Sequence, residues 1–428
     1  MVNKQDRFVT SWTVKTAGVI APDERLPWGE TFIVGVQHVV AMFGSTVLAP
    51  LLMGFDPNVS ILFSGIGTLI FFVVVGGRVP SYLGSSFSFI GVVIAATAYA
   101  GSGPNPNLGI ALGGIMAAGA LYAVIGAVVV YAGTNWVETL MPPVVTGAVV
   151  AVIGLNLAPI AVKSVSASQF DTWMGLGTVL AVAGVAVFAP GTWRRLPILL
   201  GGIIGYLLYF VAANDLGMGT PIAFARVASA PWLGMPRFTA PVFDSRAVAM
   251  IAPVAVILVA ENLGHVKAVA VMTGQNLDRY IGRAFVGDAL ATLVAGSGGG
   301  TGVTTYAENI GVMAVTRIYS TVVFVIAAFV AIGLGFSPKF GALILTIPGP
   351  VLGGLSIVLF GLIAATAGRI WVQAGVDFSN PRSLITVAVT LTLGAGDLAV
   401  KVGGFTLAGI GTATFAAIIL YQLLRSRE

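Results

Sequence analysis

Fourteen apolar blocks joined by polar connections set the limits on this chain: 30–49, 58–77, 81–99, 108–131, 143–161, 174–190, 195–213, 247–264, 281–296, 301–315, 318–336, 347–367, 383–400 and 404–424. Most approach the roughly 20 residues that a helix needs to cross a bilayer. Stretches such as Val144–Leu155 are apolar on every side. A barrel strand alternates apolar and polar residues instead. Backbone in lipid must satisfy its own hydrogen bonds, so blocks of this kind are helices. Only 9% of the residues are charged, against about 25% in soluble domains. Too little charge is available to cover water-facing globules, so the outside must meet lipid. A soluble enzyme, a nucleic-acid binder and a disordered chain are excluded. The absence of Cys removes disulfides, thiolate zinc sites and a Cys nucleophile.

Residues 1–28 are polar and contain no apolar core of a secretory signal, so none is expected to be removed. The longest connection, about 214–246, is rich in Pro and Gly and falls midway. An even number of spans puts both termini on one side. With cytoplasmic termini, that side receives 15 of the 21 basic residues, among them Lys4, Arg7, Lys15, Arg25, Arg195 and Arg427, and the other side 6. That is the direction the positive-inside rule requires, and the net charge of +5 is read as orientation. The halves echo one another. Met141–Gly147 resembles Ile347–Gly353, and Gly65, Gly76 and Gly77 recur as Gly287, Gly298 and Gly299. Seven spans separate each pair, so the second repeat is inverted. Inverted repeats mark secondary transporters that bind substrate near the midplane. Chance likeness between Gly-rich helices is the competing reading.

Ionisable side chains inside spans are costly and are retained for function. Glu261 follows the apolar run Met250–Ala260, and Glu308 lies in the Gly- and Thr-rich segment 298–311. The competing reading for each is an internal salt bridge or a helix-end carboxylate. His265 stands four residues after Glu261, on the same helical face, where a His can exchange protons near neutral pH; an interfacial His beside Lys267 is the alternative. Gln37 and His38, in the first block, read either as site residues or as helix-to-helix hydrogen bonders. Asp288 and Asp397 are weaker candidates, the first through a cap or a pair with Arg283, the second as a solvated loop residue. Two stretches, Pro80–Phe89 and Gly298–Tyr306, are poor helices in matching positions. They are expected to run extended and to expose N–H and C=O groups at membrane depth, which is tolerated only where backbone lines a cavity or is covered by protein. Helix starts beyond each break would aim their positive ends inward. Close packing through small residues is the bland alternative. Carboxylates, free backbone groups and the rings of Phe87 and Tyr306 together suit a small planar imide such as a pyrimidine base. No phosphate loop or metal triad is present.

The segment Glu308-Asn309-Ile310-Gly311-Val312-Met313-Ala314-Val315-Thr316-Arg317 resembles the signature of the nucleobase–ascorbate (nucleobase:cation symporter-2) family: an acidic residue or Gln, Asn-x-Gly, four variable residues, Thr and a basic residue. Gln37-His38 is similar to that family's first-span motif and Glu261–His265 to its eighth. The likeness covers nearly the whole chain and is closest to bacterial uracil permeases. Pro22–Pro27 and Leu258–Gly264 carry a nearer likeness to a pyrimidine-permease branch. The resemblance implies an all-α polytopic fold of 14 spans as two inverted seven-span repeats, with short extended breaks in spans 3 and 10. It implies a cytoplasmic segment 1–28, core spans over 29–131 and 247–336, gate spans over 132–213 and 337–424, and a connection over 214–246. It further implies proton-coupled uptake of a base such as uracil across the inner membrane, with a proton as coupling ion and no other cofactor, no nucleic-acid partner, surrounding lipid and a homodimer. Xanthine or another purine, sodium coupling and an anion carrier of related fold are the alternatives. By motif, Glu261 and Glu308 hydrogen-bond the base, His265 supports protonation, and Ser86, Phe87, Tyr306 and Ala307 complete the site with Gln37, His38 and Asn309 behind it. Phe89 competes with Phe87 for its place.

Overall fold

The computed structural model describes residues 11–101, 103–402, 405–407 and 409–425. Lys4, Arg7 and Arg427 of the charge tally lie outside the described residues, as does the side chain of Arg195. The first half of the described chain holds helices α1 (Trp28–Met53), α2 (Pro57–Val74), α3 (Ile90–Thr97), α4 (Leu108–Ala132), α5 (Asn135–Leu140), α6 (Pro143–Val165), α7 (Gln169–Phe188), α8 (Pro197–Phe210) and α9 (Ala225–Ser229). The second holds α10 (Ser245–Ile251), α11 (Val254–Thr273), α12 (Asp278–Gly298), α13 (Ala307–Thr316), α14 (Thr321–Gly335), α15 (Pro338–Ile344), α16 (Gly349–Gln373), α17 (Pro381–Ala395) and α18 (Gly409–Leu423). Six strands of two or three residues complete the list: β1 (Thr13–Val14), β2 (Glu24–Arg25), β3 (Leu83–Ser85), β4 (Val303–Thr305), β5 (Val400–Val402) and β6 (Phe405–Leu407). Every apolar block carries a helix, and among the described residues eight helices or helix runs are long and apolar enough to cross a membrane.

The chain forms two compact units, 1–139 with 236–336 and 140–235 with 337–428. In the first, α12 packs along α4 and α2, and α14 along α2 and α1. Glycines bring these helices close. A Cβ at Gly126 would meet the Val286 backbone nitrogen at 2.9 Å, and one at Gly65 the Ala328 carbonyl at 2.5 Å. Small residues at crossings let helix backbones approach where no hydrophobic force drives association. In the second unit α6 lies against α16 and α7 against α8, and Gly154 fits beneath the Phe360 carbonyl.

The expected breaks are extended, but their backbone is not left open. Strands β3 and β4 pair antiparallel, Leu83 opposite Thr305, Gly84 opposite Thr304 and Ser85 opposite Val303. The ladder continues with Ser86 N–H to Gly302 O at 2.9 Å and Tyr306 N–H to Tyr82 O at 3.0 Å. Outward-facing groups are met by hydroxyls from the neighbouring helices. Thr68 Oγ1 accepts from Leu83 N at 2.9 Å, Ser64 donates to Leu83 O at 2.8 Å, and Thr292 serves Val303 N and O at 3.1 Å. The expectation of free N–H and C=O groups along both breaks is therefore corrected. Buried backbone polar groups must find partners, and two short breaks facing each other satisfy that demand as a ribbon.

Candidate functional site: two carboxylates beside a buried strand pair

Each ribbon strand turns directly into a helix. After β3 comes a 3-10 turn, Phe87–Phe89, leading into α3; Ser86 caps it by accepting from the Ser88 N–H at 3.3 Å. After β4, Tyr306 precedes α13, whose first two residues are Ala307 and Glu308. Glu308 thus stands in the first helical turn, where a carboxylate is favoured by the unpaired N–H groups and the helix dipole. Glu261 reaches the same region from α11 and is half-buried, as is Glu308. The two carboxylates lie within electrostatic reach of each other. No ion pair among the described residues involves either one, so the salt-bridge reading of both is set aside.

Serine hydroxyls hold both acids. Ser86 and Ser88 donate to Oε2 of Glu261 at 3.4 and 3.3 Å. Ser45, from the middle of α1, donates to Oε1 of Glu308. Of the aromatic pair, Phe89 is fully enclosed against Gly302, while Phe87 keeps 7% of its surface exposed. Ala307 is exposed on the first turn of α13.

Other expected residues have structural partners. Tyr306 is buried; its hydroxyl donates to Ser85 O at 2.9 Å and accepts from Thr46 at 3.2 Å. The expectation that its ring packs on a flat ligand is corrected: the ring is enclosed beside Gly84 and serves the ribbon. His38 is buried, its ring 4.6 Å from that of Phe324, and Asn309 Nδ2 donates to its Nδ1 and carbonyl at 3.0 Å. That is the helix-to-helix bond foreseen as one of its two readings. Gln37 is half-buried beside it. His265 Nδ1 bonds Thr305 Oγ1 at 2.9 Å, so the hydrogen bond it makes goes to the ribbon and not to Glu261. Asp288 is fully buried and accepts from Asn262 and, at 3.3 Å, from Thr304. Its expected pairing with Arg283 is not formed among the described contacts. Asp397 is exposed in a loop, where Asn156 donates to it at 3.0 Å.

Sequence reasoning missed Ser45, Ser88, Asn262 and Thr305. The signals were present: Ser45-Thr46 interrupts an otherwise apolar stretch of α1, and Asn262 sits beside Glu261.

Long apolar helices around a short buried ribbon, with one acid in the first turn of α13 and a second in the interior of α11, are the architecture of a multi-pass membrane transporter. The chain belongs to the permease family whose model (Xan_ur_permease) matches residues 29–403. It is not an enzyme. A protein of Escherichia coli (strain K12) named as a pyrimidine permease, RutG, is 66% identical over 417 residues, 96% of this chain and 94% of that one. Uracil permeases of Paenibacillus larvae and Bacillus caldolyticus are 41% and 37% identical, covering 94% and 96% of this chain and 96% and 95% of theirs. Among solved structures, the transmembrane domain of the cyanobacterial bicarbonate transporter BicA superposes with a TM-score of 0.66 at 17% identity, covering 92% of this chain and 97% of that one. The inward-facing murine Solute Carrier 26 family member A9 anion transporter gives 0.65 at 12%, covering 93% and 68%. At such identities these two share the fold alone.

Proposed function

We propose that the chain is a proton-coupled symporter that imports uracil or a closely related pyrimidine base across the bacterial inner membrane. The observation that carries this reading is that Glu261 and Glu308, from α11 and α13, lie beside the same ribbon within electrostatic reach of each other, with no cation paired to either among the described residues. Two acceptors of that kind suit ring N–H donors and repel anions. The names of the permease relatives support the same substrate class. Beside the ribbon, Phe87, Ser86 and Ala307 complete the binding surface, with Asn309, His38 and Gln37 supporting it.

The fourteen helix-bearing blocks are read as fourteen spans in two inverted repeats of seven, with both termini cytoplasmic. All the site residues fall in the unit 1–139 with 236–336; that unit is assigned the role of core, and the other unit that of gate. Exposed apolar side chains such as Leu180, Phe188 and Ile203 face lipid, and the transporter works as a homodimer. Proton uptake at the acidic pair removes one negative charge and converts an acceptor into a donor. The two acids titrate as a unit, and His265, anchored on Thr305, is assigned the role of supporting protonation of Glu261.

Purified protein in proteoliposomes tests the reading. Uracil is expected to accumulate against its gradient when a proton gradient is imposed, without sodium. Glu308→Gln and Glu261→Gln are expected to lose binding while remaining folded. Accumulation driven by sodium alone would replace the coupling ion. Tight binding of xanthine but not uracil would replace the substrate, and binding of bicarbonate or sulfate would favour an anion carrier.

A further inference from the structure

We infer that Ser45, Ser86 and Ser88 are positioning residues that hold each glutamate by one oxygen and leave the other oxygen for a ligand N–H. The inference rests on the reading of Glu261 and Glu308 as the binding acids and extends it to the groups that aim them.

All three serines are buried, with 1%, 1% and 0% of their surface exposed. A sealed hydroxyl has no water to bond, so its single hydrogen goes to a protein acceptor. Ser86 and Ser88 both converge on Oε2 of Glu261. Ser45 is directed at Oε1 of Glu308. An ionised carboxylate offers about four lone-pair sites on its two oxygens. Oε1 of Glu261 and Oε2 of Glu308 receive no side-chain donor among the described residues, and neither is among the acceptors sealed from solvent without a partner. Each acid is thus fastened by serine on one oxygen, Glu308 also meeting its own backbone N–H, and no other side chain among the described residues takes the second oxygen of either.

The fastening also crosses the sequence. Ser45 lies on α1 and its glutamate 263 residues later on α13; Ser86 and Ser88 lie at the start of α3 and their glutamate on α11. Each clamp therefore joins an element of the first repeat to one of the second. Two acceptor oxygens set in a fixed relation select a rigid planar ring that offers N–H groups on two edges, which is the donor pattern of an imide or cyclic ureide. A flexible ligand with the same donors would have to lose rotational freedom to meet them.

The test uses full-length protein and uracil as probe. A hydrogen bond to a charged group is worth enough that Ser45→Ala is expected to raise the Kd for uracil roughly tenfold. Ser45→Thr, which keeps the hydroxyl, is expected to restore most of the affinity. Ser60→Ala is the control: Ser60 is equally buried but bonds the Asp56 carbonyl in its own helix, and its loss should leave Kd unchanged. Methylating the ring nitrogen that meets Glu308 should abolish the difference between wild type and Ser45→Ala. Ser45→Cys, of similar size but a weak donor, replaces the alanine variant if that does not fold. A second readout needs no ligand: the infrared carboxyl band lost in Glu308→Gln should shift in Ser45→Ala and stay put in Ser60→Ala. An unchanged Kd together with an unmoved band overturns the clamp. If the wild type binds no uracil, the substrate reading falls, while the infrared comparison still decides the clamp.

Discussion

Gly84 is the position where adding one carbon tests most of the site at once. A Cβ there would lie 2.5 and 2.6 Å from the Tyr306 ring and 2.6 Å from Thr46 Oγ1. Carbon contacts are comfortable at about 3.5–4.0 Å, so the ring must retreat by about 1 Å. It has nowhere to go: Tyr306 is 3% exposed, with its hydroxyl bonded to Ser85 O and Thr46. Overfilling a packed interior costs about 1–3 kcal/mol. Breaking the two hydroxyl bonds adds about 1 kcal/mol each. Gly84→Ala is therefore expected to lose about 3–5 kcal/mol if the ring is driven out. Because Tyr306 leads straight into Ala307 and Glu308, uracil binding should weaken by more than tenfold even at temperatures where the variant is folded. Thermal unfolding of the purified variant and calorimetric titration with uracil read the two effects. Gly311→Ala is the matched control, since nothing lies within 4 Å of its added Cβ. There the helix should be unchanged or gain up to about 1 kcal/mol. A Gly84→Ala protein with wild-type melting temperature and affinity would refute the claim that the ribbon positions Glu308.

Three further perturbations separate support from binding. Asn309→Ala removes the donor to buried His38 and should destabilise the protein by about 1–3 kcal/mol, seen as a lower melting temperature with or without ligand. Asp288→Ala leaves Asn262 and Thr304 buried without their acceptor; a loss of similar size, about 1–3 kcal/mol, is expected in the same assay. At Glu24, partial burial pushes the carboxyl up, but the Ala21 N–H and the Lys15 ammonium outweigh it and hold the carboxyl below its ordinary range. A carboxyl lowered in the folded state stabilises at pH above its unfolded value and loses that contribution as pH falls through its folded value. Protection of the amides of residues 12–26, taken relative to the intrinsic exchange rate at each pH, is therefore expected to be lower at pH 3 than at pH 6, and Glu24→Gln should flatten the difference; an unaltered pH response in the variant would remove Glu24 from the account.

The helices were legible because a span of apolar residues with no counter-pattern has one low-energy solution in lipid. Glu261 and Glu308 were legible for the converse reason, since a carboxylate in such a span carries a cost that something must offset. The ribbon was half legible. Gly, Ser and Thr in 80–89 and 298–306 signalled broken helix, but nothing local in either stretch says that the two breaks face each other across more than two hundred residues. Without that pairing the backbone looked free to bind a ligand, and Tyr306 looked like a stacking ring. Ser86 was legible from its place in the first break, but the donor roles of Ser45 and Ser88 were only half legible, for a related reason. A Ser in a membrane helix usually returns its hydrogen to its own backbone, as Ser60 does to Asp56, and only the fold shows that Ser45 does otherwise.

The same fold appears in carriers of quite different cargo, as the bicarbonate and anion transporters show, so the architecture cannot decide the sign of what is carried. The helix starts after the two breaks present N–H groups, and left to themselves they favour an anion. In this chain the second residue of α13 is Glu308, which places a fixed negative charge on that helix start. A ligand arriving there meets a carboxylate already stabilised by the helix and by Ser45, with Glu261 nearby. On the proposed reading it must therefore supply hydrogen, not charge. On this reasoning one substitution tips the balance: Glu308→Ser exposes the helix start again, and the variant is expected to lose uracil binding and to show measurable protection by a small anion such as bicarbonate in thermal unfolding. If the variant loses uracil binding and gains no anion response, the helix start contributes nothing to ligand choice, and the carboxylates alone determine it.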